Sequence, residues 1–328
     1  MSREGVALAT SSTGERLREG RLTATDLGGH EGPWRAFARR HKLNSGLLFV
    51  LPAIALYTLY VAWPVVSTVQ ASFFDWDGIS HDRTFVGLQN YIDLFTRDRA
   101  FRSSIVNNIL WSIVVVGTLL FVGFLVAYVL SGSLRLRNLY RTAFFLPTAA
   151  SLVVVAFVWR YIYSASVGPL NTLLRDLGLG DFTRVWLADA QVTIFAVMGV
   201  AIWASLGLFL VVLLAAINSI PKDLFESAEI DGASEWQKLR HIAFPLTSTA
   251  RRALLILGLI LAINEFGFVF FLSEGGPFHA SEVMAFQIYD LSFVLNRTGY
   301  ASALTVVLLV ISLAVTVPQL LLLRRSEP

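Results

Sequence analysis

Six long apolar blocks constrain this chain more than any other feature. They run approximately over Gly46–Val66, Ile105–Leu130, Ala143–Tyr163, Val192–Ile217, Ala253–Leu272 and Ser302–Leu323. Each holds about 20 residues or more, the length a helix needs at a rise of about 1.5 Å per residue to cross a hydrocarbon layer about 30 Å thick. A transmembrane β-barrel would show short alternating segments, and these blocks do not alternate. The expected fold class is therefore all-α, a polytopic membrane protein with six transmembrane helices. Charged residues make up only 15% of the chain and the mean hydropathy is +0.64. Soluble domains carry about 25% charged residues.

The distribution of lysine and arginine predicts an orientation. Arg35, Arg39, Arg40 and Lys42 precede the first block, and Arg135, Arg137 and Arg141 lie between the second and third. Lys222, Lys238, Arg240, Arg251 and Arg252 lie between the fourth and fifth, and Arg324 and Arg325 follow the sixth. The positive-inside rule then places both termini in the cytoplasm of a multi-pass protein of the cytoplasmic (inner) membrane. The aromatic groups Trp63, Phe73, Phe74, Trp76 and Trp159, Tyr161, Tyr163 fall at the opposite interface. Residues 1–44 are polar with no apolar core; they are expected to form a disordered cytoplasmic tail ahead of a six-span domain over 45–328.

Several chemistries are excluded by composition. There is no cysteine, so neither a thiolate nucleophile nor a cysteine metal site exists. The five histidines, His30, His41, His81, His241 and His279, show no metal-ligand spacing. The three lysines, Lys42, Lys222 and Lys238, precede Leu43, Asp223 and Leu239. A phosphate loop requires Lys followed by Ser or Thr, so this chain has none. No cofactor, no metal, no catalytic residue and no nucleic-acid partner is expected. ATP hydrolysis of the usual phosphate-loop kind is therefore not expected of this chain by itself.

Two features carry candidate function. Asn264 and Glu265 lie about 18 Å beyond Arg252 along the fifth block, near the bilayer midplane. A carboxylate there costs on the order of 3 kcal/mol on a lipid face, so it should face a bundle interior, a polar partner or a wet cavity. They are candidate pathway residues, as are Asn107 and Asn108 at the outer end of the second block, for which interfacial solvation is an adequate alternative. Gly267 would allow close approach of a helix or a ligand.

The second feature is the polar insert at 219–249. Pro221 suits a first helical turn, with Leu224, Phe225 and Ala228 on one face. Asp231-Gly232 ends that helix, and Ser234 with Gln237 forms a capping box that starts another. Trp236, Leu239, Ile242 and Ala243 form its apolar stripe, and Pro245 ends the pattern. Periodicity alone leaves open an interfacial helix pair, a pair packed on the protein's own spans, or a partner-binding site.

The stretch IPKDLFESAEIDGASEWQKLRHIAFPL resembles the cytoplasmic signature loop of the inner-membrane permeases of binding-protein-dependent ABC importers. Glu226, Ala228, Gly232, Ile242 and Pro245 match that motif, while Ser227 replaces an alanine and Phe244 a leucine. SFFDWDG, FVGLQNY, RTAFFLP, VGPLNTLL, FLSEGGPFHASEVMAFQIYDLSF and GYASAL are similar to the carbohydrate-importer branch (maltose, glycerol-phosphate and multiple-sugar types), over roughly residues 47–320. The resemblance implies a MetI-like permease fold of the shorter, six-span kind. It implies a second permease subunit, two copies of an ABC ATPase subunit and an extracytoplasmic solute-binding protein as partners, besides membrane lipid. It also implies that Glu226, Ser227, Ala228, Asp231, Gly232, Ile242 and Pro245 couple to the ATPase. The alternative left open is a secondary carrier that uses Glu265 as a proton site.

Overall fold

The computed structural model describes residues 49–132 and 134–324, with side chains to 321. The tail expected over 1–44 and the arginines at 35, 39 and 40 lie outside those residues. The chain divides into two units after Pro64. In the first, residues 49–64 are helical and belong to a 23-residue helix, Phe49–Ala71, long and apolar enough to span.

Among its described residues, the regular structure of the second unit is helical apart from one two-residue antiparallel ladder, Phe74–Asp75 with Thr84–Phe85. Three more single helices reach spanning length: Arg99–Ser131, Thr193–Asn218 and Thr298–Leu321. Two further pairs, Arg137–Ala149 with Leu152–Ile162 and Glu235–Leu246 with Ser248–Ile263, reach it together but are bent by 99° and 69°. Among the described residues the count is four spans, or six when each bent pair is one span. The fold is the polytopic all-α one that the hydropathy blocks predict, but two blocks expected as plain helices are not.

The third block changes direction part-way along its length. Pro147 has no N–H to offer the carbonyl one turn back, and Ala150 and Ser151 are extended, with ψ of 147° and 136°. The fifth block is interrupted at Asn264–Phe266, between helices Ser248–Ile263 and Gly267–Leu272. Irregular backbone at membrane depth persists only where protein or a water-filled cavity meets its polar groups.

The core is built around Thr193–Asn218. Val197, Phe209, Leu210 and Leu213 on this helix pack with Trp111, Val116, Leu119 and Phe124 of the second span helix. Small residues let neighbours close in: a methyl on Gly207 would lie 2.7 Å from the Phe144 carbonyl and 2.9 Å from Phe145 Cα. Thr148 Oγ1 donates to the Ala204 carbonyl at 2.8 Å, fixing the first half of the bent third span to the fourth. A second cluster, with Leu94, Phe101, Met284, Tyr300 and Leu304, lies at the end remote from the insert.

Candidate functional site

The insert is two helices joined by a glycine turn. Lys222–Ile230 closes with Ala233 N–H donating to the Ala228 carbonyl at 2.9 Å and Gly232 N–H to that of Glu229 at 3.0 Å. Gly232 has φ of +77°, where a side chain would be strained, although a methyl there would meet nothing within 4 Å. Conformation, not space, demands glycine at this turn. Ser234 and Gln237 form the expected capping box: Ser234 N–H donates to Gln237 Oε1 at 2.7 Å, and Gln237 N–H to Ser234 Oγ at 3.3 Å.

The second helix runs further than the sequence suggests. It continues from Glu235 through a π turn at Leu239–Ala243 to Leu246, past Pro245, and bends into the fifth span at Thr247. Ile242 packs on the core, where Leu239 and Ala243 are buried. Trp236, assigned by periodicity to the same stripe, is 62% exposed and faces away. Phe225 and Ala228 turn inward on the first helix, while Glu226, Ser227, Asp231 and Gly232 are exposed, as is Pro245. The motif residues thus divide between an inner face that holds the insert and an outer face that is open.

An ion network fixes the pair. Lys238, 7% exposed, places Nζ 2.5 Å from Glu235 Oε1 and 3.7 Å from Glu229 Oε2, which spans the two helices. Tyr128, at the end of the second span, donates to Glu235 Oε2 at 2.9 Å. The hydrogen bonds from Lys238 and then Tyr128 hold the Glu235 carboxyl below its ordinary range, and that from Glu235 holds Lys238 above its own.

The breaks in spans three and five meet at one cavity of about 300 Å³. Pro147, Thr148 and Leu152 line it from the third span, and Glu265 and Phe268 from the fifth. Ser205 of the fourth span adds a hydroxyl; Trp111 comes from just before the π turn Ser112–Val116 of the second span and Val115 from within it. Such turns insert one residue into a helix and re-aim its side chains. Glu265 Oε1 accepts the Phe268 N–H at 2.7 Å, capping Gly267–Leu272. Its neighbours here are a mostly apolar wall with two hydroxyls. A methyl on Gly267 would overlap Leu152, so the two broken spans touch beside the cavity.

The four pathway candidates do not come together. Asn264 is exposed, does not line the cavity, and donates to the Ile260 carbonyl of its own helix at 2.8 Å. Asn107 and Asn108 are buried, which interfacial solvation does not account for. Asn107 Nδ2 donates to the Glu282 and Ala280 carbonyls at 2.8 and 3.1 Å. Asn108 Nδ2 donates to the Ala262 and Ile263 carbonyls, both at 3.1 Å. Thr148, Ser205 and Trp111 line the cavity without having been singled out in the sequence; none belongs to a motif.

Residues 119–327 match the family model described as "Binding-protein-dependent transport system inner membrane component". The chain belongs to that family. This permease is 35% identical over 275 residues to the probable ABC transporter permease protein YurN of Bacillus subtilis, covering 83% of this chain and 94% of the relative. It is 30% identical over 292 residues to the diacetylchitobiose uptake system permease protein NgcF of Streptomyces coelicolor, covering 84% and 82%. A solved bacterial alginate ABC transporter, in complex with an alginate pentasaccharide-bound periplasmic protein, contains a similar chain. The TM-score is 0.72 at 25% identity, covering 88% of this permease and 95% of that chain.

Proposed function

We propose that this permease is the membrane subunit of an ATP-driven importer for a sugar or sugar derivative, delivered from outside by a solute-binding protein. In this reading a second permease subunit completes the path, and two copies of an ABC ATPase dock on the insert side, which the lysine and arginine bias assigns to the cytoplasm. The single observation that carries it is the insert's two-faced build. Its inner face is locked to spans two and five, and its outer face presents Glu226, Ser227, Asp231 and Gly232 to solvent.

A partner that pulls on the outer face moves a lever whose other end is the start of the fifth span. That span breaks at Asn264–Phe266, beside the cavity and against the broken third span. Rigid segments joined at breaks allow two arrangements of a cavity wall, which alternating access requires. The mostly apolar cavity with a carboxylate and two hydroxyls offers hydrogen-bond partners for a polyhydroxylated solute. Uptake substrates named for relatives, diacetylchitobiose among them, support a sugar-type cargo.

The test is uptake of radiolabelled oligosaccharides by cells carrying Glu226→Lys or Gly232→Leu. The expected result is loss of uptake with the protein still inserted in the membrane; uptake at the unmodified level in both variants overturns the reading. The position of Glu265 in the cavity favours one competing reading, a proton-coupled carrier. That reading predicts uptake without any ATPase and its arrest by a protonophore at constant ATP.

A further inference from the structure

A groove of about 450 Å³ lies between the second and fifth spans at their insert-side ends, apart from the cavity beside Glu265. One wall is the ridge Gly117, Leu120, Phe121 and Phe124; the other is Ser248, Arg251, Arg252 and Leu255. Both follow the three-and-four spacing of one helix face. The helices are antiparallel, so Phe124 meets Arg251 at the insert end, and the other end is apolar.

Arg251 is held in place but not neutralised. Its guanidinium lies 3.4 Å from the Phe244 ring centroid and 5.8 Å from that of Phe124, and Nη2 donates to the Phe244 carbonyl at 2.6 Å. Its Nε is buried with no hydrogen-bond partner. Arg252 beside it is exposed, and among the described residues neither arginine pairs with a carboxylate. Further in, a methyl on Gly117 would meet nothing within 4 Å, leaving open space between Phe121 and Leu255. Two unpaired cations at one end and a bare apolar channel at the other repeat the polarity gradient of one membrane leaflet.

We propose that this groove seats one anionic phospholipid of the insert-side leaflet, its phosphate on Arg251 and Arg252 and an acyl chain along Gly117, Leu120 and Leu255. Guanidinium forks match phosphate oxygens in pairs, and the stacking of Arg251 on Phe244 fixes the fork before the lipid arrives. Because Phe244 and Arg251 flank the bend between insert and fifth span, the lipid sits where the lever turns. The site is independent of which solute is carried.

The test is native mass spectrometry of the full chain, purified in mild detergent, with equal amounts of phosphatidylglycerol and phosphatidylcholine of the same acyl chains. Phosphatidylglycerol should be retained preferentially, and Arg252→Gln should weaken it about fivefold, the worth of one cation near an anionic surface. Arg251→Gln/Arg252→Gln should abolish the preference, and Gly117→Leu should reduce retention of both lipids by filling the apolar end. Equal retention of the two lipids, or unchanged preference in both arginine variants at unchanged thermal stability, overturns the proposal. Displacement by inorganic phosphate overturns it in favour of a simple anion site. Cross-linking of Phe121→Cys to a co-purified protein overturns it in favour of a protein interface.

Discussion

Asn108 Oδ1 accepts the backbone N–H of Met284 at 2.9 Å, while its Nδ2 holds the carbonyls of Ala262 and Ile263, both at 3.1 Å. One buried amide therefore joins span two, the broken end of span five and the segment leading to span six. The need is set by the break. A helix that ends at Ile263 leaves its last carbonyls without intrahelical donors, and no water is at hand in the membrane core. Asn108→Ala should destabilise the fold by about 2 kcal/mol, the cost of stranding buried polar groups. Thermal unfolding in detergent measures it. Asn108→Asp should be no better, because it keeps the acceptor for Met284 but sets an oxygen against two carbonyls. An unfolding temperature unchanged in both would show that the clamp carries no weight.

The insert's ion network makes a prediction about pH. Glu235 is held below its ordinary range, so its contribution is complete above the unfolded carboxylate value and is lost as pH falls through the folded one. Lys238 is held above its range, so its contribution is complete below the unfolded amine value and is lost only on the alkaline side. The insert should keep one conformation from roughly pH 5 to 10 and loosen below about pH 4. Glu235 is mostly exposed, so the effect is small in energy but local in place. Protease nicking near Gly232 against pH measures it. Lys238→Met should produce the same nicking at neutral pH; nicking that is flat with pH and unaffected by this variant would remove the network's role.

Much of this was legible in the sequence, for identifiable reasons. Block lengths gave the spans because hydrocarbon thickness fixes helix length, and Ser234 with Gln237 gave the capping box because that signal is local. Counting residues beyond Arg252 put Glu265 deep in the fifth block, and the structure lines a cavity with it. What was not legible depends on partners far along the chain. Asn107 and Asn108 look like interfacial residues until the carbonyls of Ala262, Ile263 and Glu282, more than 150 positions away, are placed against them. The 99° turn at Ala150–Ser151 is invisible to hydropathy, which reports how apolar a stretch is and not its direction. Trp236 shares the spacing of Leu239 but is exposed where Leu239 is buried, because periodicity does not say how far toward the start of a helix its stripe is covered.

Gly207 makes a separate prediction about how the bent span is held. A methyl on Gly207 would meet Thr148 Oγ1 at 2.5 Å, which can rotate, but also the Phe144 carbonyl at 2.7 Å and Phe145 Cα at 2.9 Å, which cannot. The backbone of 137–149 would have to move, costing about 1–3 kcal/mol. It should also disturb the Thr148 bond to Ala204, and with it the cavity wall. Gly117→Ala, where nothing lies within 4 Å, is the matched control and should leave stability within about 0.5 kcal/mol. Chemical or thermal unfolding of the two variants side by side decides it.

Glu265 separates the two functional readings. Its carboxylate caps Gly267–Leu272 through the Phe268 N–H and lines the cavity beside Thr148 and Ser205. Glu265→Gln keeps the acceptor and removes the charge, while Glu265→Ala removes both. If the carboxylate contacts solute in an ATP-driven permease, both variants should raise the solute concentration for half-maximal uptake. A lost charge-assisted hydrogen bond corresponds to about tenfold or more. ATP dependence should be retained and protonophore should have no direct effect. If the residue only caps the helix, Glu265→Gln should behave as the unmodified protein and only Glu265→Ala should be less stable. If it carries a proton, both variants should stop accumulation while leaving exchange of solute across the membrane. Measuring uptake, counterflow and unfolding on these two variants distinguishes the three, because each role fails in a different one of the measurements.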